Sequence, residues 1–209
     1  GSPHQQRVIT IATTPAMGAL LMPGLASALK PTFPQILLHN IAIVDAARQL
    51  DQRQRDLLID THLHSGQAIS HHVLYQDRVQ MYCRAGHPAL DGPQDEPTLA
   101  EYEFALLLPE GQRYPTLHRR LQEEMGERRC GFSTFNLMTQ AAMIAGSDML
   151  GLTTERLFAM VSRLWPLQTL DFPSLGEEQI DVALHFNKLS GKEPLLKEII
   201  ETVIRSFKA

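Results

Sequence analysis

Apolar residues along this chain switch repeatedly between strand-like and helix-like spacing. Residues 7–14 (RVITIATT) are rich in β-branched side chains and predict a strand. Pro15 stands where a first-turn proline belongs, and an amphipathic helix follows to Lys30, ended by Pro31 and Pro34. Residues 35–43 (QILLHNIAI) predict a second strand, 45–54 a second helix, and 55–63 (RDLLIDTHL) a third strand with an apolar centre. Such a centre suits a parallel sheet buried on both faces. This β-α-β-α-β order implies right-handed crossovers and a doubly wound sheet.

The next stretch breaks that rhythm. Residues 71–84 (HHVLYQDRVQMYCR) form one long strand-like run, long enough to serve two sheets in turn. Gly86-His87-Pro88 ends it, and residues 91–97 (DGPQDEP) read as a solvated loop. A second alternating series then appears: strand 104–108, helix 115–126, strand 131–135, helix 137–145, strand 149–152 and helix 154–163. Trp165-Pro166 follows, then strand 179–186 (QIDVALHF). A closing amphipathic helix, 193–207, carries Leu195, Leu196, Ile199, Ile200, Val203 and Ile204 at helical spacing. The pattern predicts an α/β fold of two Rossmann-like units joined by two crossing strands. Ligand sites in such folds lie outside the carboxyl ends of the strands, in a crevice.

Composition narrows the function classes. Of 209 residues, 44% are hydrophobic and 20% charged, with a net charge of −4, which fits a folded globular protein. No uninterrupted apolar run reaches the roughly 18 residues of a membrane span. The slight acidity argues against gripping a phosphate backbone over a broad face. Two cysteines, Cys83 and Cys130, are too few for a disulfide scaffold and read as small hydrophobes. Gly1-Ser2 reads as the remnant of tag removal, so residues 1–6 are set aside as remnant and linker.

Familiar catalytic motifs are missing: no G-x-S-x-G, P-loop, G-x-G-x-x-G, H-E-x-x-H or C-x-x-C occurs. His62, His64, His71 and His72 cluster in sequence, and grouped imidazoles can hold zinc. No cysteine accompanies them and neighbours on a strand point to opposite faces, so a solvated strand end is the preferred reading. Asp148 and Asp181 sit among apolar residues, with capping or surface roles expected. Thr13-Thr14-Pro15 is a strand end entering a helix, where hydroxyls and free N–H groups can receive an anion. Simple N-capping explains the same residues equally well. Residues 112–116, with Arg113 as a possible charge partner, and 133–136 repeat this arrangement.

The run Arg7-Val-Ile-Thr-Ile-Ala-Thr-Thr-Pro-Ala-Met-Gly-Ala-Leu, with Leu21-Met22-Pro23, resembles the opening of the effector-binding domain of LysR-type transcriptional regulators. Phe33-Pro34, Arg55-Asp56-Leu57-Leu58-Ile59, Arg84-Ala85-Gly86-His87-Pro88 and Ser147-Asp148-Met149-Leu150-Gly151-Leu152 fit in order and spacing. The resemblance implies the fold of type 2 periplasmic binding proteins. Its first subdomain would comprise residues 7–77 and 183–209, and its second 84–178. A winged helix-turn-helix that binds DNA would lie outside this chain.

It further implies a cytoplasmic homodimer or tetramer that is not an enzyme, needs no cofactor or metal, and touches no membrane. A small effector would bind in the cleft at Thr13, Thr14, Pro15, Ile43, Thr61, Arg113, Tyr114, Ser133, Phe135 and Asn136. A carboxylate, with citrate as one candidate, is the implied effector. The sequence departs from the family at Gly151-Leu152-Thr153-Thr154, where many members carry a small-residue turn and a proline, which alters the cleft wall. The alternatives are a transporter's solute-binding protein with the same fold, or an enzyme on a two-lobed scaffold.

Overall fold

The computed structural model describes residues 6–108, 130–171 and 179–208. The chain divides into two units, residues 1–76 with 180–209 and residues 77–179.

In the first unit, β1 (Arg7–Thr13) lies between β2 (Ile36–Ala42) and β3 (Leu57–Asp60), parallel to both. β9 (Gln179–Asn187) pairs antiparallel with β3. Three helices belong to this unit: α1 (Pro15–Leu29), α2 (Ala46–Asp51) and the C-terminal α6 (Pro194–Ser206). The centre of the sheet is buried on both faces, with all four residues of β3 inside. α6 buries Leu196, Ile199, Ile200 and Val203 on one stripe and packs beside α1. Each such side chain contributes about 1.5–3 kcal/mol on burial. Asp56 ties β3 to β1 by accepting from the Thr10 amide at 2.8 Å.

The second unit is built on β4 (Ile69–Arg84), a single 16-residue strand that starts in the first unit and ends in the second. Its later half pairs antiparallel with β7 (Gly151–Thr154) and with β8 (Leu167–Leu170). β5 (Phe104–Leu107) and β6 (Cys130–Thr134) run parallel, with a bridge from Phe104 to Leu150 beside β7. The helices are α3 (Glu96–Leu99), α4 (Leu137–Ala145) and α5 (Glu155–Val161). Tyr82, Ala105 and Ile144 form a core against Phe132, Met149, Phe158 and Leu167. The Tyr82 hydroxyl donates to Gln140 Oε1 at 2.9 Å, and Gln140 Nε2 donates to the Ala105 carbonyl at 2.8 Å. Burial raises the Tyr82 pKa well above its usual value. A Cβ on Gly151 would overlap Ile144 and press on Gln140, so glycine keeps this contact possible.

Several expected boundaries shift for local reasons. The second helix, expected through residue 54, stops at Asp51, because Arg53 adopts a left-handed φ of 54°. The third strand ends at Asp60 instead of residue 63, because the Asp60 carboxylate takes the Thr61 amide at 2.8 Å and turns the chain. The expected loop at 91–97 contains the start of α3, which Asp95 caps by accepting from Thr98 N at 3.1 Å. The strand expected at 149–152 is displaced to Gly151–Thr154. β8 has no counterpart among the expected strands; its four residues, Leu-Gln-Thr-Leu, do not alternate and are held as a strand by pairing with β4. The helix expected at 115–126 lies outside the described residues.

Candidate functional site

The parallel register of β1, β2 and β3 decides which residues meet. Thr13 pairs with Ala42, and Ala12 with Leu58. Thr14, Ile43 and Thr61 therefore follow the carboxyl ends of three neighbouring strands and share one end of the sheet.

Their side chains do different work. Thr13 is buried; its hydroxyl donates to the Thr14 carbonyl at 2.8 Å and accepts from Asn40 Nδ2 at 3.0 Å. Thr14 is the N-cap of α1, accepting from Met17 N at 3.3 Å through Oγ1. The Thr14 carbonyl accepts from Gly18 N at 3.0 Å. Pro15 fills the first helical position and has no N–H to offer. The first-turn donor without an intrahelical partner is thus the Ala16 amide, beside the Thr14 hydroxyl proton. Ile43 is half-buried and packs on the cluster of Ala12, Ala46, Leu50, Leu58 and Ile69. Thr61 is half-buried at the turn that Asp60 makes.

In the second unit, Ser133, Phe135 and Asn136 follow or end β6 in the same way. Ser133 is exposed, and Phe135 is 60% exposed. Asn136 caps α4 with a single oxygen that accepts from Met138 N at 2.8 Å and Thr139 N at 3.4 Å. Thr134 Oγ1 in turn accepts from Asn136 N at 3.2 Å. Arg113 and Tyr114 lie outside the described residues.

Other candidates resolve into structural roles. Asp148 is exposed and pairs with Arg84 at 2.8 Å, and Asp181 accepts from Gln76 at 2.8 Å. Both cysteines are free thiols, Cys83 buried and Cys130 exposed. Burial pushes the Cys83 thiol up to about 11, against a weaker lowering by Arg84, which leaves it unreactive. Among the described residues, no three His, Cys, Asp or Glu side chains are placed to hold a metal ion. Two residues escaped the sequence reading. Thr153 on β7, read only as a change in wall shape, is buried with a hydroxyl that has no partner among the described residues. His185, a lone polar residue in the apolar run of β9, is fully buried and anchors the histidine-rich segment after β3. A groove of about 580 Å³ runs beside α1 and β2, lined by Gly18, Met22, Pro23, Ala26, Leu38 and Asn40.

Residues 2–208 match the family model of the LysR substrate binding domain. The chain belongs to this family. It is 44% identical over 207 residues to YbeF of Escherichia coli K12, described as an uncharacterized HTH-type transcriptional regulator. That match takes in 99% of this chain and 65% of YbeF, so the chain spans just under two thirds of that relative's length. Solved structures share its fold at low identity. The regulatory domain of CrgA, a LysR-type transcriptional regulator from Neisseria meningitidis, superposes with a TM-score of 0.75 at 13% identity, covering 97% of this chain and all of that one. The regulatory domain of a Vibrio vulnificus OxyR2 mutant, sulfate-bound, gives 0.76 at 17%, covering 99% of each chain. HinK of Pseudomonas aeruginosa, another LysR family regulator, gives 0.77 at 16%, covering 97% of this chain and 72% of that one. The fold is the periplasmic-binding-protein-like fold of LysR regulatory domains.

Proposed function

We propose that this LysR substrate-binding domain senses a small anionic effector, of carboxylate type, at the turn where β1 enters α1. One observation carries this reading: Thr14 hydroxyl, the free first-turn amide of α1 and Thr61 share one end of a parallel sheet. Helix N-termini favour negative charge, and hydroxyls suit recognition better than proton transfer. Asp60, the nearest carboxylate in sequence, is 1% exposed and pairs with His64 at 2.9 Å, so it does not face a ligand. The turn at Ser133 and Asn136 is proposed as a further contact surface, and Thr13 as the residue that positions Thr14. In a longer cytoplasmic protein, effector binding would alter how a helix-turn-helix sits on DNA, provided the effector binds two arrangements unequally. A second copy of the chain is proposed to cover the groove beside α1 and β2.

A thermal-shift screen with citrate, tartrate, malate and aromatic acids tests the ligand. An acid at about a hundred times its dissociation constant stabilises by about 2.7 kcal/mol, which raises the melting temperature by about 5–10 °C. The shift is expected to vanish in Thr14→Ala and persist in Thr14→Ser. No shift with any acid rules out the carboxylate class. Sedimentation tests the groove: Ala26→Glu is expected to leave a folded monomer, and an unchanged oligomer refutes that surface.

A further inference from the structure

Four histidines gather at a corner of the first unit that the proposed effector contacts do not use. His185 of β9 is at their centre and fully buried. Its Nδ1 lies 3.1 Å from the Ala183 carbonyl, which can only accept, so Nδ1 carries the hydrogen. Its Nε2 lies 3.0 Å from the amide of His64, which can only donate, so Nε2 carries the lone pair. A second proton on this ring has one place to go, and there it meets the His64 N–H.

The surroundings of the ring are defined on each side. The His64 ring is 5.1 Å away and the exposed His71 of β4 is 6.0 Å away, ring centre to ring centre. His62, also exposed, stands 4.7 Å beyond His64. Asp60, at the end of β3, holds His64 Nε2 at 2.9 Å. Burial, then the charges of His64 and His71, lower His185 to about 4, against an opposing pull from the Leu58 backbone and Asp60.

We propose that His185 is the catch of an acid-released segment: unprotonated, it ties the His64 amide and residues 61–66 to β9, and protonated, it repels that amide and frees the segment. The His64 side chain is held separately, by Asp60 at 2.9 Å, so the catch concerns the backbone tie to β9. Residues 61–66 lie outside the helices and strands, so their movement breaks no helical turn or strand ladder. On the reading that Thr61 contacts the effector, acid would also weaken effector binding; the release itself does not depend on that reading.

Amide hydrogen exchange of this chain between pH 7.5 and 5, corrected for the intrinsic rate, tests the catch. Protection of the His64 amide is expected to fall more than about ten-fold, and at each pH to stay well below that of Ile11 in β1, whose exchange requires the whole unit to open. In His185→Gln, which accepts a hydrogen bond but does not titrate, the same amide is expected to show no such pH dependence. Should that variant not fold, imidazole nitrogen shifts of the wild-type protein decide, because Nε2 must be unprotonated at neutral pH. The proposal is overturned by a proton on Nε2 at pH 7.5, by constant protection of His64, or by a His64 amide as strongly protected as Ile11 at every pH, which would mean that it opens only with the whole unit.

Discussion

The turns at Thr14 and Asn136 perform the same local task and end with different capacity. Both residues cap a helix that follows a strand. Asn136 takes two amides with one oxygen, and its own amide is taken by Thr134, which leaves the Leu137 amide and the Asn136 side-chain N–H groups outside the cap. Thr14 takes one amide, and Pro15 removes another donor, which leaves the Ala16 amide and a hydroxyl proton available. The second unit also turns polar groups inward: Gln140 is fully buried and links Tyr82 to the Ala105 carbonyl. Capping chemistry alone therefore does not mark a ligand site. The two turns differ in the kind of donor kept after capping, a hydroxyl in the first unit and a carboxamide in the second.

The largest effect expected from this contrast is in the second unit. Gln140→Ala leaves a cavity, the Tyr82 hydroxyl and a carbonyl unpaired, and should cost about 2–4 kcal/mol in urea unfolding. A loss below about 1 kcal/mol would mean that the buried amide is not what holds this unit together. Acid should act next, and on the first unit. His185 is held near 4 in the fold and returns to its ordinary value near 6.5 when unfolded, so the unfolded chain binds the extra proton first. Stability is full above about pH 6.5 and falls progressively toward pH 4. Denaturation midpoints measured across this range should drop more steeply for the wild-type chain than for His185→Gln. The smallest effect is Asn136→Ala, about 1 kcal/mol of stability. Any acid that stabilises the wild-type domain should still do so in this variant if the first unit dominates recognition. A lost response there would place the second turn on an equal footing.

Much of the fold was legible because its main elements are long and periodic. β1, α1, the 16-residue β4 and the amphipathic α6 each announce themselves by spacing, and each was read within a few residues. Four-residue β8 carries no period of its own; its partner strand makes it a strand. The end of β3 was misplaced because a single side-chain bond, from the Thr61 amide to Asp60, outcompetes the ladder. Of the candidate site, residue types and their positions at strand ends were readable, but not their use. Thr13 and Thr14 are chemically equal in sequence, yet one hydroxyl is consumed inside the unit and the other faces outward from a helix start.

The histidines make the same division. The sequence groups His62, His64, His71 and His72 along a short stretch of chain, which by itself does not bring their rings together. It could not determine that His185, more than a hundred residues further on, would sit at their centre and accept the His64 amide. That pairing follows from β9 returning antiparallel beside β3. Local spacing selects helix or strand through interactions within a few residues. Which polar groups are left for a ligand or a proton depends on which distant strand comes to lie beside them, and only tertiary structure decides that.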